Sequence, residues 1–335
     1  MPAALRAGVV LLGVVGLAAC RGPEPVPPDR DLAARAYTEA LFAHKTIPAF
    51  TLGTDADGTP IDTVIGELRP YRIRDGDTLM DVARYYDVGY NEIVAANPGV
   101  DPWVPPVGAT IVLPTAWVLP CCTYTGLVLN IPEMRLFYYE RPAGRPRTLV
   151  VRTYPVGLGR RDRRTPRGRF RVRGKTMNPR WIVPASIRAE HIRERGDART
   201  AIAGGAPDNP LGKYRLELTL PRYAIHGTDI PWGVGMEVSH GCARLYPEDI
   251  EQLFPLVAVG TPVEFTYQRA TLGTRGGRTF VQVHPDIYGY GPRRPEALLA
   301  AAKARRPPAA LDARRLATAF REARGVPVDV TAAPR

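Results

Sequence analysis

Two histidines and one cysteine with catalytic potential lie close together in this sequence: His226, His240 and Cys242. Cys242 sits in the run Ser239-His240-Gly241-Cys242-Ala243-Arg244-Leu245, between a strand-like and a helix-like segment. A thiol can carry an acyl group. Its free pKa of about 8.5 leaves only a few per cent thiolate at neutral pH, so a base or a cation must activate it. His226 ends the β-patterned run Tyr223-Ala224-Ile225-His226 and can supply that base across adjacent strands. His240 is next but one to Cys242 and on an extended chain would share its side. Glycine at 241 lets the Gly241 and Cys242 N–H groups face a reacting carbonyl oxygen as an oxyanion hole. Three other readings compete. A lone cysteine is often a small buried apolar residue. The histidines can be hydrogen-bonded structural residues. The three together can bind zinc. Few further ligands are at hand: Asp229 and Glu237 are near, while His44, His191 and His284 are remote in sequence. No metal and no cofactor is expected.

The elements that must position these residues read as short strands. Leu127–Asn130, Arg135–Tyr139, Leu149–Tyr154, Arg169–Val172, Tyr214–Leu218, Tyr223–His226 and Val263–Tyr267 are rich in β-branched and aromatic residues, with turns at Pro155–Gly159 and Thr165–Gly168. One helix is predicted at 247–257. Pro247 takes its first position, Glu248 and Asp249 its first turn, and Ile250, Leu253, Phe254 and Val257 share a face. This is a mainly antiparallel β-domain with a small helical part.

The segment as a whole resembles the catalytic domain of YkuD-type L,D-transpeptidases, in the ErfK/YbiS branch. The resemblance rests on His226-Gly227-Thr228, Ser239-His240-Gly241-Cys242 and Arg244-Leu245. Asn130 with Glu133–Leu136, Pro155-Val156-Gly157, Thr165-Pro166 with Gly168, Asn178-Pro179 with Trp181, and Asn209–Gly212 agree with it. Many members carry Asn where this chain has Arg244; the branch it resembles carries Arg. The resemblance implies a mainly β, sandwich-like catalytic domain at 124–267. It makes Cys242 the acylated nucleophile, His226 the base and Gly227 the carbonyl that orients His226. Ser239 and His240 shape the site, and Gly241 and Cys242 hold the oxyanion. Arg244 either contacts a substrate carboxylate or forms an outward salt bridge to Glu248 or Asp249. The implied reaction is attack on the diaminopimelate–D-Ala bond of a peptidoglycan stem tetrapeptide. The acyl group then passes to diaminopimelate (a 3→3 cross-link), to a lysine of a murein-linked lipoprotein, to a D-amino acid, or to water.

Upstream, Tyr71–Arg74 alternates like a strand. Asp75-Gly76-Asp77 is a turn, Thr78 with Asp81 is a helix cap, Asn91 caps a second helix through Ala96, and Thr110–Leu113 closes as a strand. This βααβ unit, assigned to 69–114, resembles a LysM domain. The resemblance implies glycan binding beside Gly76, Asp77, Thr78, Leu79, Asn97 and Pro98.

Residues 1–19 carry one early charge, Arg6, then an apolar run ending in Leu17-Ala18-Ala19-Cys20. The run has the length of a signal-peptide core. It resembles a lipobox, which implies lipidation of Cys20, a membrane anchor, a tether and linker over 20–68, and a periplasmic location at the outer membrane. The net charge of +12 favours an anionic partner, but no nucleic-acid-binding motif accompanies the scattered arginines. A C-terminal extension, 268–335, has one predicted helix from Asp312 through Arg324, with Leu316, Ala319 and Phe320 on the face that packs against the catalytic domain. Cys121-Cys122 reads as a pair of small, partly buried residues or as a disulfide site. The overall class is mainly β with α. The alternatives to a transpeptidase are a non-catalytic wall-binding lipoprotein, a carboxypeptidase- or amidase-type hydrolase using the same cysteine, and a metallohydrolase.

Overall fold

The computed structural model describes Phe42 and residues 45–121, 123–291, 294–305 and 310–333. The signal segment, Cys20, His44 and Cys122 lie outside the described residues. Among the described residues no helix is long and apolar enough to cross a membrane.

The described chain opens with β1 (Ala49–Gly53), β2 (Val64–Gly66) and β3 (Arg69–Arg72). Helices α1 (Leu79–Tyr85) and α2 (Tyr90–Ala96) and strand β4 (Thr110–Leu113) follow, and β3 pairs with β4 antiparallel. This is the expected βααβ unit. Its core gathers Tyr71, Ile73, Leu79, Val82, Ile93, Ile111 and Leu113. Thr78 caps α1, accepting the Asp81 N–H at 3.1 Å. Asn91 is not the cap of α2. Gly89 takes that place, and the Glu92 carboxylate accepts the Gly89 N–H at 2.7 Å. The Asn91 amide instead donates to the Glu133 carbonyl of the catalytic domain.

After β5 (Ala116–Val118) the chain builds β6 (Gly126–Asn130), β7 (Arg135–Glu140), β8 (Thr148–Pro155), β9 (Leu158–Gly159) and β10 (Gly168–Met177). An excursion carries β11 (Trp181–Ile182), α3 (Ala185–Arg195) and β12 (Ala201–Ile202). Then come β13 (Tyr214–Leu218), β14 (Ala224–His226), β15 (Glu237–Ser239), β16 (Ala243–Arg244), α4 (Pro247–Leu256) and β17 (Pro262–Thr266). Nine of these strands form one sheet in the order β1-β8-β7-β6-β17-β10-β13-β14-β16. Alternation divides its residues between two cores. Leu127, Leu129 and Leu136 face one core, with Ile250 and Leu253 of α4; Val128, Phe137 and Tyr139 face the other, with Trp117 and Leu119.

The reading of 20–68 as tether and linker is corrected in part. β1 pairs with β8 at the sheet edge and β2 pairs with β5. β1 escapes notice in the sequence because it is short and none of its residues is fully buried. The extension after residue 267 is also more than a helix. Strands β18 (Ala270–Arg275), β19 (Arg278–Val283) and β20 (Val328–Asp329) form a sheet that packs with α5 (Pro295–Arg305) and α6 (Ala313–Glu322). Asp312 caps α6 as expected, but Leu316 and Ala319 bury against this module's own core rather than the catalytic sheet.

The LysM-like unit is joined to the sheet through buried charges. Arg135 of β7 makes a two-point ion pair with Glu92 of α2, at 2.8 and 2.7 Å, and its guanidinium also donates to the Asp87 carbonyl. Arg84 of α1 pairs in the same way with Glu248 of α4, at 2.9 and 3.0 Å. Lys45 reaches Asp87 at 2.5 Å and Asp249 at 3.3 Å. Glu248 and Asp249, read as first-turn residues of the helix and as candidate partners of Arg244, are buried members of this junction.

Candidate active site

The parallel pairing of β14 with β16 sets the site. Ile225 registers with Ala243 and His226 with Arg244. One step back along both strands, Ala224 stands beside Cys242. The Ala224 N–H faces the sulfur, and the thiol also lies 3.7 Å from the Arg222 carbonyl. Ala224 and His226 project to one side of β14, so the histidine, the cysteine and Arg244 meet on one surface. This is the cross-strand approach that the spacing of His226 and Cys242 anticipates.

His226 is 2% exposed, and its Nδ1 lies 2.7 Å from the Gly227 carbonyl. A carbonyl only accepts, so Nδ1 carries the proton and Nε2 is the ring's lone-pair nitrogen. Burial, then the Arg244 guanidinium, push the His226 pKa down to about 3, although the Gly227 and Leu211 carbonyls act the other way. Burial likewise pushes the Cys242 thiol up, against the Ala224 N–H and the Arg244 and Arg215 charges. The resting pair is therefore a neutral thiol and a neutral imidazole.

The turn that carries Cys242 is tied by Ser239. Its Oγ accepts the Gly241 N–H at 3.0 Å and donates to the Cys242 carbonyl at 2.7 Å. The Gly241 N–H, expected to face an oxyanion, is thus engaged by Ser239 in this structure. Gly241 has φ of +112°, and a Cβ there would lie 2.7 Å from the Tyr223 ring. Both facts require glycine.

Among the described residues Arg244 makes no outward salt bridge. Glu248 and Asp249 are turned into the domain junction, and the buried Nε of Arg244 has no hydrogen-bond partner. It lines a cavity of about 930 Å³ together with Cys242, His226, His240 and Ser239. Its size fits a bound small molecule or peptide segment. Arg180, Arg215 and Arg222 add positive charge, and Trp181, Ile182 and Ile187 of the excursion add apolar surface. Sequence reading missed this excursion. Its α3 has no buried residue, so it carries no apolar period to read. Among the described residues no group of three or more His, Cys, Asp and Glu is arranged to hold a metal.

The expected glycan-contact residues separate into two sets. Asp77 accepts from the Tyr71 hydroxyl and the Arg74 N–H, both at 2.8 Å, and Leu79 is buried in the module's core. Asn97 bonds to Ile93 and, twice, to Val112. These three side chains hold the module together. Gly76 and Pro98 are exposed, and Thr78, the cap of α1, is half-buried. Trp103, Val104 and Val107, which sequence reading passed over, are also exposed. Cys121 is disulfide-bonded.

Comparison with known proteins agrees with this arrangement. Residues 125–265 match the family described as the L,D-transpeptidase catalytic domain, and residues 71–114 match the LysM domain. The chain is 36% identical over 260 residues to the Escherichia coli (strain K12) protein named "Probable L,D-transpeptidase YbiS", covering 76% of this chain and 81% of that one. It is 34% identical over 257 residues to "Probable L,D-transpeptidase YcfS" of the same strain, covering 74% and 78%. A third similar protein from that strain, "Probable L,D-transpeptidase ErfK/SrfK", is 34% identical over 251 residues, covering 74% and 78%.

Proposed function

The chain belongs to the YkuD family of L,D-transpeptidases, which act on peptidoglycan, and from that premise we propose that Cys242 is its acyl-carrying nucleophile and His226 its general base. The observation that carries this reading is the β14–β16 register, which brings a neutral, Nδ1-protonated His226 and Cys242 to one wall of the cavity. The Cys242 sulfur attacks the carbonyl between diaminopimelate and D-Ala while His226 Nε2 takes the thiol proton. The Cys242 N–H stabilises the oxyanion. The bond to D-Ala breaks, the leaving amine takes the proton from His226, and a thioester remains. An acceptor amine attacks the thioester, its proton passes to His226, and the thiol re-forms as the new amide departs. Gly227 fixes the His226 tautomer. Arg244 offers its guanidinium to a stem carboxylate. The acceptor is a diaminopimelate or a lysine of a murein-linked lipoprotein.

The LysM domain binds the glycan strands whose stems the cavity processes. Gly76, Thr78 and Pro98 are its contact residues, and the backbone at Asp77, Leu79 and Asn97 completes the groove. Residues 1–19 are a lipoprotein signal peptide, and lipidation of Cys20 anchors the enzyme in the periplasm at the outer membrane. The LysM unit at 69–114, the catalytic domain at 124–267 and the extension at 268–335 make up the rest.

The test is to incubate the full-length chain with tetrapeptide-bearing muropeptides and follow the products by mass spectrometry. Cross-linked or exchanged products, with a thioester on Cys242, are expected, and Cys242→Ala should abolish both. Activity that survives that change, or that depends on added zinc, would overturn the thiol mechanism. Release of D-Ala with no amide product would make the enzyme a hydrolase. Cys20→Ala should abolish labelling by a fatty acid.

A further inference from the structure

His240 lies in the turn that carries Cys242, yet its ring is held from outside that turn. Its Nε2 is 3.0 Å from Oε2 of Glu190, which comes from α3. The other carboxylate oxygen, Oε1, accepts from Arg160 Nη1 at 2.8 Å, and Asp162 lies 3.4 Å from Arg160 Nε. Arg160 also reaches the motif through its backbone, donating its N–H to the Ser239 carbonyl at 2.9 Å. The Glu190 side chain is only 12% exposed, although α3 has no buried residue. The helix therefore meets the motif through such polar contacts, not through an apolar face.

Which nitrogen of His240 carries its proton follows from these contacts. Nε2 has a carboxylate oxygen at 3.0 Å and an arginine nitrogen at 3.3 Å. The carboxylate oxygen is the nearer of the two, Arg160 bonds Glu190 through its other terminal nitrogen, Nη1, and an ionised carboxylate only accepts. Arg160, and after it His240, hold the Glu190 carboxyl down to about 2, so it is ionised at neutral pH. Nε2 of His240 therefore carries a proton, whereas in His226 the nitrogen that donates is Nδ1.

We propose that Glu190 is a positioning residue for the transfer reaction. It fixes the ring and tautomer of His240 from α3, with Arg160 as brace, and so links the excursion over the cavity to the turn that carries the nucleophile. The proposal rests on the thiol mechanism above for its kinetic consequence, but not for its structural one. Outer partners of this kind set which ring atom a histidine offers to chemistry.

Two measurements on the full-length chain test it. In ¹⁵N-histidine-labelled protein, with the His240 signal assigned by its loss in His240→Gln, the wild-type ring should show the Nε2–H tautomer, and Glu190→Gln should lose that preference. In the muropeptide assay, Glu190→Gln should lower kcat about tenfold to a hundredfold while KM stays within about threefold. A wild-type His240 protonated at Nδ1 overturns the proposal, and this result needs no variant to fold. So does an unchanged kcat, or a fall in kcat with the Nε2–H tautomer intact, which would make Glu190 merely structural. Cys242→Ala, run alongside, reports on the thiol mechanism alone, because the tautomer is read without turnover.

Discussion

At the junction between the LysM domain and the catalytic sheet, two buried arginines are each closed by a carboxylate at two points; at the cavity beside Cys242, Arg244 has no such partner among the described residues. Arg135 and Glu92 meet at two points, Arg84 and Glu248 do the same, and Lys45 lies among Asp87, Glu248 and Asp249. Burial there favours a neutral Lys45, but Asp249, Asp87 and Glu248 outweigh it and keep the amine protonated. Burial pushes the Asp249 carboxyl up, and the Lys45 ammonium acts against it. In the cavity, the buried Nε of Arg244 has no partner among the described residues, Arg215 pairs with Glu217 through Nη1 at 3.2 Å, and the cysteine and histidine are kept neutral. Unpaired buried polar atoms destabilise a fold unless something fills them. The junction closes Arg84 and Arg135 with carboxylates, although Asp249 has no hydrogen-bond partner there among the described residues. In the cavity, the Arg244 Nε is a donor left for a ligand.

The comparison can be broken at several points. The largest effect is expected from the base. His226→Gln keeps the ring's volume roughly but removes Nε2, and kcat should fall about 10²- to 10⁴-fold in the muropeptide assay, with the melting temperature little changed. Retained kcat would move the base elsewhere. At the junction the effect falls on stability instead. Arg135→Met strands the Glu92 carboxylate and should cost about 3–5 kcal/mol in denaturant unfolding, because breaking one side of a buried pair leaves an uncompensated charge. Restoring stability by the second change Glu92→Gln would confirm that the penalty lies in the stranded charge. A smaller effect is expected at Arg244. Arg244→Gln should raise KM for a stem bearing its carboxylates about tenfold and leave the melting temperature within a few degrees. A loss of stability there would place Arg244 with the junction residues.

The last prediction concerns pH. His226 and His284 are both buried, and burial, with Arg244 acting on the first and Arg135 and Arg269 on the second, depresses each pKa to about 3. Between about pH 6.5 and pH 3 the unfolded chain therefore binds protons that the folded chain does not, so stability must fall as pH falls through that window and is fully present above it. The acid loss of melting temperature should shrink in His284→Gln. The acid limb of kcat/KM should fall near pH 3 rather than near 6.5. A limb near 6.5 would mean that the cavity hydrates His226 in solution.

What the sequence determined by itself was local chemistry. Glycine at 241, the strand ending at His226, Pro247 opening a helix and the Thr78 and Asp312 caps each depend on neighbours a few residues away. Backbone sterics and hydrogen bonding act over that range, so these features are legible in order along the chain. The proposed nucleophile and base are legible too, because the strand ending at His226 and the turn that carries Cys242 lie close together along the chain. Tertiary structure decided where charges end. Glu248 and Asp249 look like a surface helix start until Arg84 and Lys45 arrive from far upstream. β1 looks like linker until β8 supplies its edge. Glu190 lies on a helix with no apolar period, and only the folded chain brings it to His240. Burial and long-range pairing are properties of the assembled layers, and no local pattern of residues records them.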